Sequence, residues 1–367
     1  MNTVPYHVER STRAGRLGFA VMLVAVCVLL SVPALAGRAE MRLLIEVSYY
    51  LALAQAWNLL AGYAGLVSVG QQAFVGLGCY GFIIATAFLE IPPLVAIPLT
   101  ALVVGLIAIP TAFLAFHLRG AHFAIGTWVL AEVLRLIFTL IKPFGAGTGM
   151  SLPIAVVRDI AESRVVRELI LYYVSVSVGI GTVILIFLWL RSRQGMALTA
   201  IRDSESAAGS IGINQQRTKL AVYLIAALIA GLVGCLVVLE KLRITPAAAF
   251  SVTDWSADVI FIVIIGGIGS IEGPIIGTLV FFALRFFLAD YGAWYLITLG
   301  TIAIVVMLKA PRGLWGLIGD GLNIHLFPIQ RRVRFGVSDA VTFSAFKGVQ
   351  RFAQKNAAIE PPPKSKS

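Results

Sequence analysis

The residues best placed for chemistry in this sequence are two opposite charges inside an apolar stretch. Glu132 and Arg135 stand three positions apart in LAEVLRLIF, which puts both side chains on one face of a helix. An ionisable group within a membrane helix is by default a candidate for carrying a proton or an ion. Because these two charges can neutralise each other, the spacing favours a structural ion pair, and ion transfer stays the alternative.

Polar residues also alternate with glycine in two short stretches, GYAGLVSVGQQAFVGLGCYG at 62–81 and GGIGSIEGPIIG at 266–277. Small residues let membrane helices pack closely, and such packing is one explanation of both stretches. Irregular backbone at membrane depth is otherwise tolerated where it is buried in protein or lines a cavity. We therefore predict a solute pathway beside these stretches. Its candidate residues are Asn58, Ser68, Gln71, Gln72 and Glu272.

The elements that must position these residues are apolar runs. Of the 367 residues, 59% are hydrophobic and 13% are charged, whereas soluble domains carry about 25% charged residues. We predict an all-α, polytopic bundle of about eight to ten transmembrane helices, some of them broken or re-entrant. The apolar runs are 17–36, 43–61, 72–89, 94–116, 121–141, 169–190, 219–239, 257–269, 274–289 and 293–308.

Two of these runs are ambiguous. The run 17–36 ends in Ala34-Leu35-Ala36, which resembles the cleavage site of a signal peptide, although its length favours a retained helix. The run 257–269 is shorter than the roughly 20 residues that a crossing needs. It is predicted to be re-entrant or part of a broken helix.

Lysine and arginine are distributed unevenly between the segments that separate the runs. With the N-terminus inside, 19 of the 29 basic residues fall in inside segments and 8 in outside segments. The positive-inside rule then predicts that both termini, the segment 1–16 and the polar insert 191–219 are cytoplasmic, and that 142–168 is external. The basic tail 317–367 is predicted to be a flexible cytoplasmic extension near anionic lipid. The net charge of +11 therefore does not indicate a nucleic-acid partner.

Motifs that would indicate an enzyme are absent from the sequence. It contains no Gly-x-x-x-x-Gly-Lys-Ser/Thr loop for the phosphates of ATP, and no nucleophile–base pair is apparent. The four histidines and three cysteines are scattered without metal-ligand spacing. We expect no catalytic site, no metal and no cofactor.

The insert has a helical pattern of its own. From Ala197 to Ile211 the sequence predicts one short amphipathic helix with a small, apolar face. Gly212 is predicted to end this helix, and Asn214 to cap the next one. A face of small residues is suited to docking into a protein groove, and an interfacial helix lying on lipid is the alternative.

Several stretches resemble one family of transporters. AIRDSESAAGSIGINQQRTKL resembles the cytoplasmic coupling segment of ABC-importer permeases, with Glu205, Ala207, Ala208 and Gly212 at matching positions. WNLLAGYAGLVSVGQQAFVGLGCY, FAIGTWVLAEVLRL, VIIGGIGSIEGPIIG and KAPRGLWG resemble further signatures of the branched-chain amino-acid permeases. The resemblance covers about residues 20–316 and best fits the LivM-type subunit.

The resemblance implies a permease subunit of a bacterial inner-membrane importer, with 17–316 as its permease domain. Its expected partners are a LivH-like second permease, two ABC ATPase subunits, a periplasmic solute-binding protein and membrane lipid. The solute would be a branched-chain amino acid or a related small molecule. The alternative is an ion-coupled secondary transporter of a small organic solute, in which Glu132 carries the ion. Coupling to the ATPase is assigned to Arg202, Glu205, Ala207, Ala208, Gly212 and Asn214.

Overall fold

The described part of the chain is an all-α bundle. The computed structural model describes residues 6–9, 13–145, 147–288, 291–310, 312–322, 327 and 332–335. Eight of the described helical segments are long and apolar enough to cross a membrane. Half of the predicted segment 1–16 and most of the predicted tail 317–367 lie outside the described residues.

Each predicted apolar run falls on a helix. The first seven helices are α1 (Arg13–Leu35), α2 (Arg38–Asn58), α3 (Gln71–Ile83), α4 (Pro93–Ala115), α5 (Ala121–Leu140), α6 (Ile154–Ile160) and α7 (Arg164–Leu190). They are followed by α8 (Arg193–Asp203), α9 (Glu205–Ser210), α10 (Gln215–Lys241), α11 (Pro246–Ala249), α12 (Asp258–Gly266), α13 (Glu272–Leu288), α14 (Ala293–Lys309) and α15 (Gly313–Leu322). π-Helical turns extend α2 through Leu59–Tyr63 and α3 through Ile84–Phe88.

Two short antiparallel strand pairs complete the described secondary structure. β1 (Tyr6–Glu9) pairs with β4 (Arg332–Phe335), and β2 (Met150–Ser151) pairs with β3 (Arg243–Ile244). The second pairing brings the segment after α5 and the turn after α10 to the same end of the bundle. The segment after α5 is external in the predicted topology, and the pairing would place the turn after α10 on the same side.

Helices α3 and α10 pack backbone to backbone at the centre of the bundle. A Cβ atom added to Gly78 would stand 2.4 Å from the carbonyl oxygen of Gly231, and one added to Gly234 would stand 2.3 Å from that of Val75. Only glycine permits this approach. Close packing therefore accounts for Gly78 in the first glycine-rich stretch.

The same explanation applies to the second stretch. A Cβ atom on Gly266 of α12 would stand 1.9 Å from the carbonyl oxygen of Gly273 in α13, and one on Gly277 would stand equally close to that of Ile262. Helices α12 and α13 therefore form a tight hairpin whose contact is made by glycine.

Helix α1 packs along α7. Pro33 has no N–H, so the carbonyl oxygen of Leu29 lacks its usual partner four residues later. The Tyr172 hydroxyl of α7 donates to that oxygen at 2.7 Å. The bond gives α1 a specific contact with α7, and its retention as a first helix stays a prediction.

The run 257–269, predicted to be re-entrant or part of a broken helix, lies mostly in the second half of a longer, interrupted helical segment. Pro246–Gly266 forms one 21-residue helical segment, made of α11, a π-helical turn and α12. Its first half contains polar residues such as Asp254, which lower the local hydropathy below that of a typical span. The helix nevertheless begins at Pro246, because the Thr245 hydroxyl caps it by accepting from the N–H of Ala248 at 3.2 Å.

Candidate coupling and pathway site

The two glycine-rich stretches contain turns that meet at one end of the bundle. One turn joins α2 to α3, and the other joins α12 to α13. Asn58 holds them together, because its Nδ2 donates to the carbonyl oxygen of Ser270 at 2.7 Å and its Oδ1 accepts from the N–H of Gly269 at 2.8 Å. Gln55 adds a bond of 2.7 Å to the carbonyl oxygen of Ile271. Both amides are fully buried.

Three further predicted pathway residues lie in the first turn and at the start of α3. The Ser68 hydroxyl accepts from the N–H of Gly70 at 3.2 Å, and Gln71 Nε2 donates to the carbonyl oxygen of Leu53 at 3.1 Å. The Ser256 hydroxyl lies within hydrogen-bond distance of Gln72 Oε1. In the described part of the chain, Gln71 Oε1 and Gln72 Nε2 are buried without a partner. Each glutamine thus has one polar atom unsatisfied in this conformation.

Glu272 begins α13 beside the second turn. It is buried, and its Oε1 accepts from the backbone N–H of Phe327 at 2.9 Å. The structure thus places Asn58 and Glu272 at the second turn, and Ser68, Gln71 and Gln72 at the first. All five are enclosed by protein rather than open to a cavity, and their pathway role stays a prediction.

The polar insert forms two helices, so the prediction of one helix from Ala197 to Ile211 is wrong. The Ser204 hydroxyl accepts from the N–H of Ala207 at 3.3 Å, and its backbone is extended. A serine in this geometry starts a new helix, which separates α8 from α9. The composition of the insert is compatible with one helix or with two, because serine is tolerated within helices as well as at their starts.

The predicted caps at the end of the insert are confirmed. Gly212 has φ +84°, and the N–H of Ile213 donates to the carbonyl oxygen of Ala208 at 3.1 Å, as in a glycine C-cap. Asn214 Oδ1 accepts from the N–H of Arg217 at 3.0 Å and starts α10. These two caps fix the turn through which the insert joins the membrane helix.

The predicted small-residue docking face is not a continuous outer surface. Ile201 and Ala208 are buried, whereas Ile211 is 72% exposed. The exposed surface of α9 instead includes Glu205 and Ala207. Ala208 therefore packs inward and is not available to a partner.

Side-chain contacts of Arg202 and Glu205 help to anchor the insert to the bundle. Arg202 Nη1 donates to the carbonyl oxygen of Gly62 at 3.0 Å, at the first glycine-rich turn. Glu205 pairs with Lys219 Nζ of α10 at 2.5 Å. Sequence reasoning missed both contacts, because the partners lie far apart in sequence and no local pattern connects them.

The ion pair of Glu132 and Arg135 is present as predicted. Arg135 Nε donates to both carboxylate oxygens, at 3.0 and 2.9 Å. The two side chains are 40% and 30% exposed, on the outer side of α5. Among the described residues, the pair therefore does not hold α5 to another helix.

The bundle of candidate membrane spans with a folded polar insert between two of them defines an all-α, multi-pass membrane protein. Residues 41–309 match the model of a family described as branched-chain amino acid transport system / permease component. The chain belongs to this family, and it is a multi-pass protein of the bacterial inner membrane.

Curated relatives agree with this assignment. The chain is 26% identical to the high-affinity branched-chain amino acid transport system permease protein LivM of Escherichia coli, over 80% of this chain and 74% of the relative. It is also 26% identical to LivM of Salmonella typhimurium, over 77% and 71%. The fructose import permease protein FruG of Bifidobacterium longum is 27% identical, over 76% and 84%. No solved structure matches the chain significantly.

Proposed function

We propose that this chain is one of two permease subunits of an ABC importer for branched-chain amino acids or related small solutes. ATP hydrolysis in two partner ATPase subunits would drive transport, and a periplasmic binding protein would deliver the solute to this chain and a LivH-like second permease. Family membership and the likeness to the two LivM proteins support this proposal.

The observation that carries the coupling role is the double anchoring of the insert. α8 reaches the first glycine-rich turn through Arg202, and α9 reaches α10 through Glu205. Asn58 connects the first turn to the second. A displacement of α8 and α9 by an ATPase would therefore act on α2, α10 and α13 together.

Such a displacement drives transport only if the ATP-bound state of the partners makes different contacts with the two conformations of the permease. The exposed surface of α9 would make those contacts. In the described conformation the polar residues at both turns are sealed. We infer that opening the turns exposes Gln71 and Gln72, whose unsatisfied atoms are then free to bond the solute.

The solute follows less directly from the relatives, because one of similar identity is named for fructose import. Branched-chain amino acids are proposed on the two LivM relatives, with urea and small aromatic acids as the competing solutes. The five pathway residues include one ionisable group, Glu272, so a transit site of low affinity is expected.

The deciding experiment is uptake by the complete complex in proteoliposomes, with ATP inside and binding protein outside. Leucine uptake that requires ATP and persists in the presence of a protonophore supports the proposal. Uptake that needs no ATP and collapses with the ion gradient would instead establish the ion-coupled transporter, and loss of that uptake in Glu132→Gln would assign the ion to Glu132.

A further inference from the structure

The ion pair on α5 lies at a depth where lipid does not solvate charge. α5 has 20 residues, so it is about 30 Å long and spans the hydrocarbon core of a bilayer. Glu132 and Arg135 are its twelfth and fifteenth residues, about 17 and 21 Å from its first residue. Both groups therefore lie well inside the core, while large fractions of their side chains face away from the bundle.

The guanidinium of Arg135 does not extend toward the membrane surface at the C-terminal end of α5, which is the nearer one. Side chains on a helix lean toward its N-terminus, which for α5 is the cytoplasmic end in the predicted topology. Its guanidinium accordingly turns back toward Glu132 and the middle of the membrane, where Nη2 donates to the carboxylate at 2.5 Å. A guanidinium has five N–H donors. Among the described residues only Glu132 accepts from this one, so the guanidinium keeps spare donors.

Other exposed or charged parts of the bundle behave differently. Arg285 of α13 donates to Glu46 of α2 at 3.1 Å, so that pair joins two helices of this chain. The exposed side of α4 carries apolar residues such as Leu102 and Leu106, which suit lipid. The outer side of α5 combines the ion pair with Trp128 and Leu136, which are also exposed.

We infer that the outer face of α5 formed by Trp128, Glu132, Arg135 and Leu136 is the contact surface for the second permease subunit. This inference rests on the proposed function. A second membrane protein would bury Trp128 and Leu136 and would offer carbonyl or side-chain acceptors to the spare donors of Arg135. Lipid chains offer no such acceptors.

The test is site-specific photocrosslinking in native membranes that contain the full transporter with an epitope-tagged second permease. A benzophenone amino acid replaces Trp128 or Leu136, and the exposed Leu102 on the outer side of α4 is the control. We expect crosslinks to the tagged permease from both α5 positions, at least tenfold more than from Leu102. Crosslinks to a second copy of this chain, or to lipid alone, would overturn the inference.

A second measurement separates assembly from folding. Arg135→Met keeps the apolar stem but removes the donors, and we expect several-fold less second permease to co-purify with the tagged chain at an unchanged membrane level. Unchanged co-purification together with absent crosslinks would sink the inference. If ATP-driven uptake were intact in that case, the proposed function would stand; ATP-independent uptake by the unmodified complex would remove the proposed function itself.

Discussion

At the scale of single residues, the described conformation depends on buried amides that satisfy backbone groups of neighbouring turns. Asn58 uses both its donor and its acceptor for this purpose, and the groups it bonds lie more than two hundred positions along the chain. The role visible in the structure is therefore to join two turns, beside any part it plays in solute passage.

Asn58→Ala is expected to leave the N–H of Gly269 and the carbonyl of Ser270 unsatisfied, which should lower the free energy of unfolding by about 2–4 kcal/mol. Denaturant unfolding of the purified protein in detergent measures the change. Asn214→Ala removes an amide from an exposed cap and should cost about 1 kcal/mol. Equal losses of unfolding free energy in the two variants would show that the buried hydrogen bonds of Asn58 stabilise the protein no more than an exposed helix cap does.

Arg202→Ala is expected to break the contact between the insert and Gly62. If this contact carries the motion, solute uptake should fall about five- to tenfold while ATP hydrolysis by the complex continues. The comparison is between uptake and ATPase rates in proteoliposomes. Asp203 pairs with the same guanidinium but is 69% exposed, so Asp203→Asn should transport normally. The contact would be irrelevant to coupling if Arg202→Ala also transported normally.

At the scale of elements, local signals in the sequence predicted what is determined locally. Gly212 and Asn214 were identified as caps because a left-handed turn and a helix start each favour a particular residue type. The break at Ser204 was missed because serine is compatible with both arrangements. The helical first half of Pro246–Gly266 was missed because its polar residues interrupt the apolar pattern. Its burial depends on contacts with other helices, as for Trp255, and such contacts cannot be read from the local sequence.

Contacts between elements that are distant in the sequence could not be predicted from local sequence patterns. Two contacts depend on how the helices of the bundle pack together: that between the two glycine-rich turns, and that of Arg202 with the first turn. The sequence indicated that both stretches were unusual, and it offered close packing and a pathway as explanations. The structure shows close packing at Gly78, Gly266 and Gly277.

The turn between α9 and α10 can be tested through its backbone. Gly212→Pro should uncouple ATP hydrolysis from uptake, because proline fixes φ near −65° where the turn needs +84°. Gly212→Asn should retain uptake, since asparagine tolerates the left-handed region and no atom lies within 4 Å of the new Cβ. Uptake and ATPase activity are measured together. Loss of transport in both variants would mean that position 212 cannot accept any side chain, whatever backbone conformation the turn adopts.

At the scale of the whole molecule, the coupling role requires that the insert lie on the cytoplasmic side of the membrane. Ser163→Cys and Ser206→Cys, each in a background without Cys27, Cys79 and Cys235, test it. An impermeant thiol reagent on intact cells should modify the cysteine at position 163 and spare the one at position 206, because 142–168 is predicted outside and 191–219 inside. Ser206 is chosen because Ser204 caps α9. Permeabilised cells should label both, and the reverse pattern on intact cells would refute the topology and the coupling role together.

The close contact of α3 and α10 has a mechanical consequence for the bundle. Helices whose backbones touch at glycine residues have no side chains between them that could slide or repack. The two helices should therefore move as one rigid unit. α10 is 27 residues long, or about 40 Å, and its first residue follows the insert after a single capped turn. A small tilt imposed at that end, which the topology predicts to be cytoplasmic, would therefore swing the far end of α10 by a larger distance, on the side of the membrane predicted to be external.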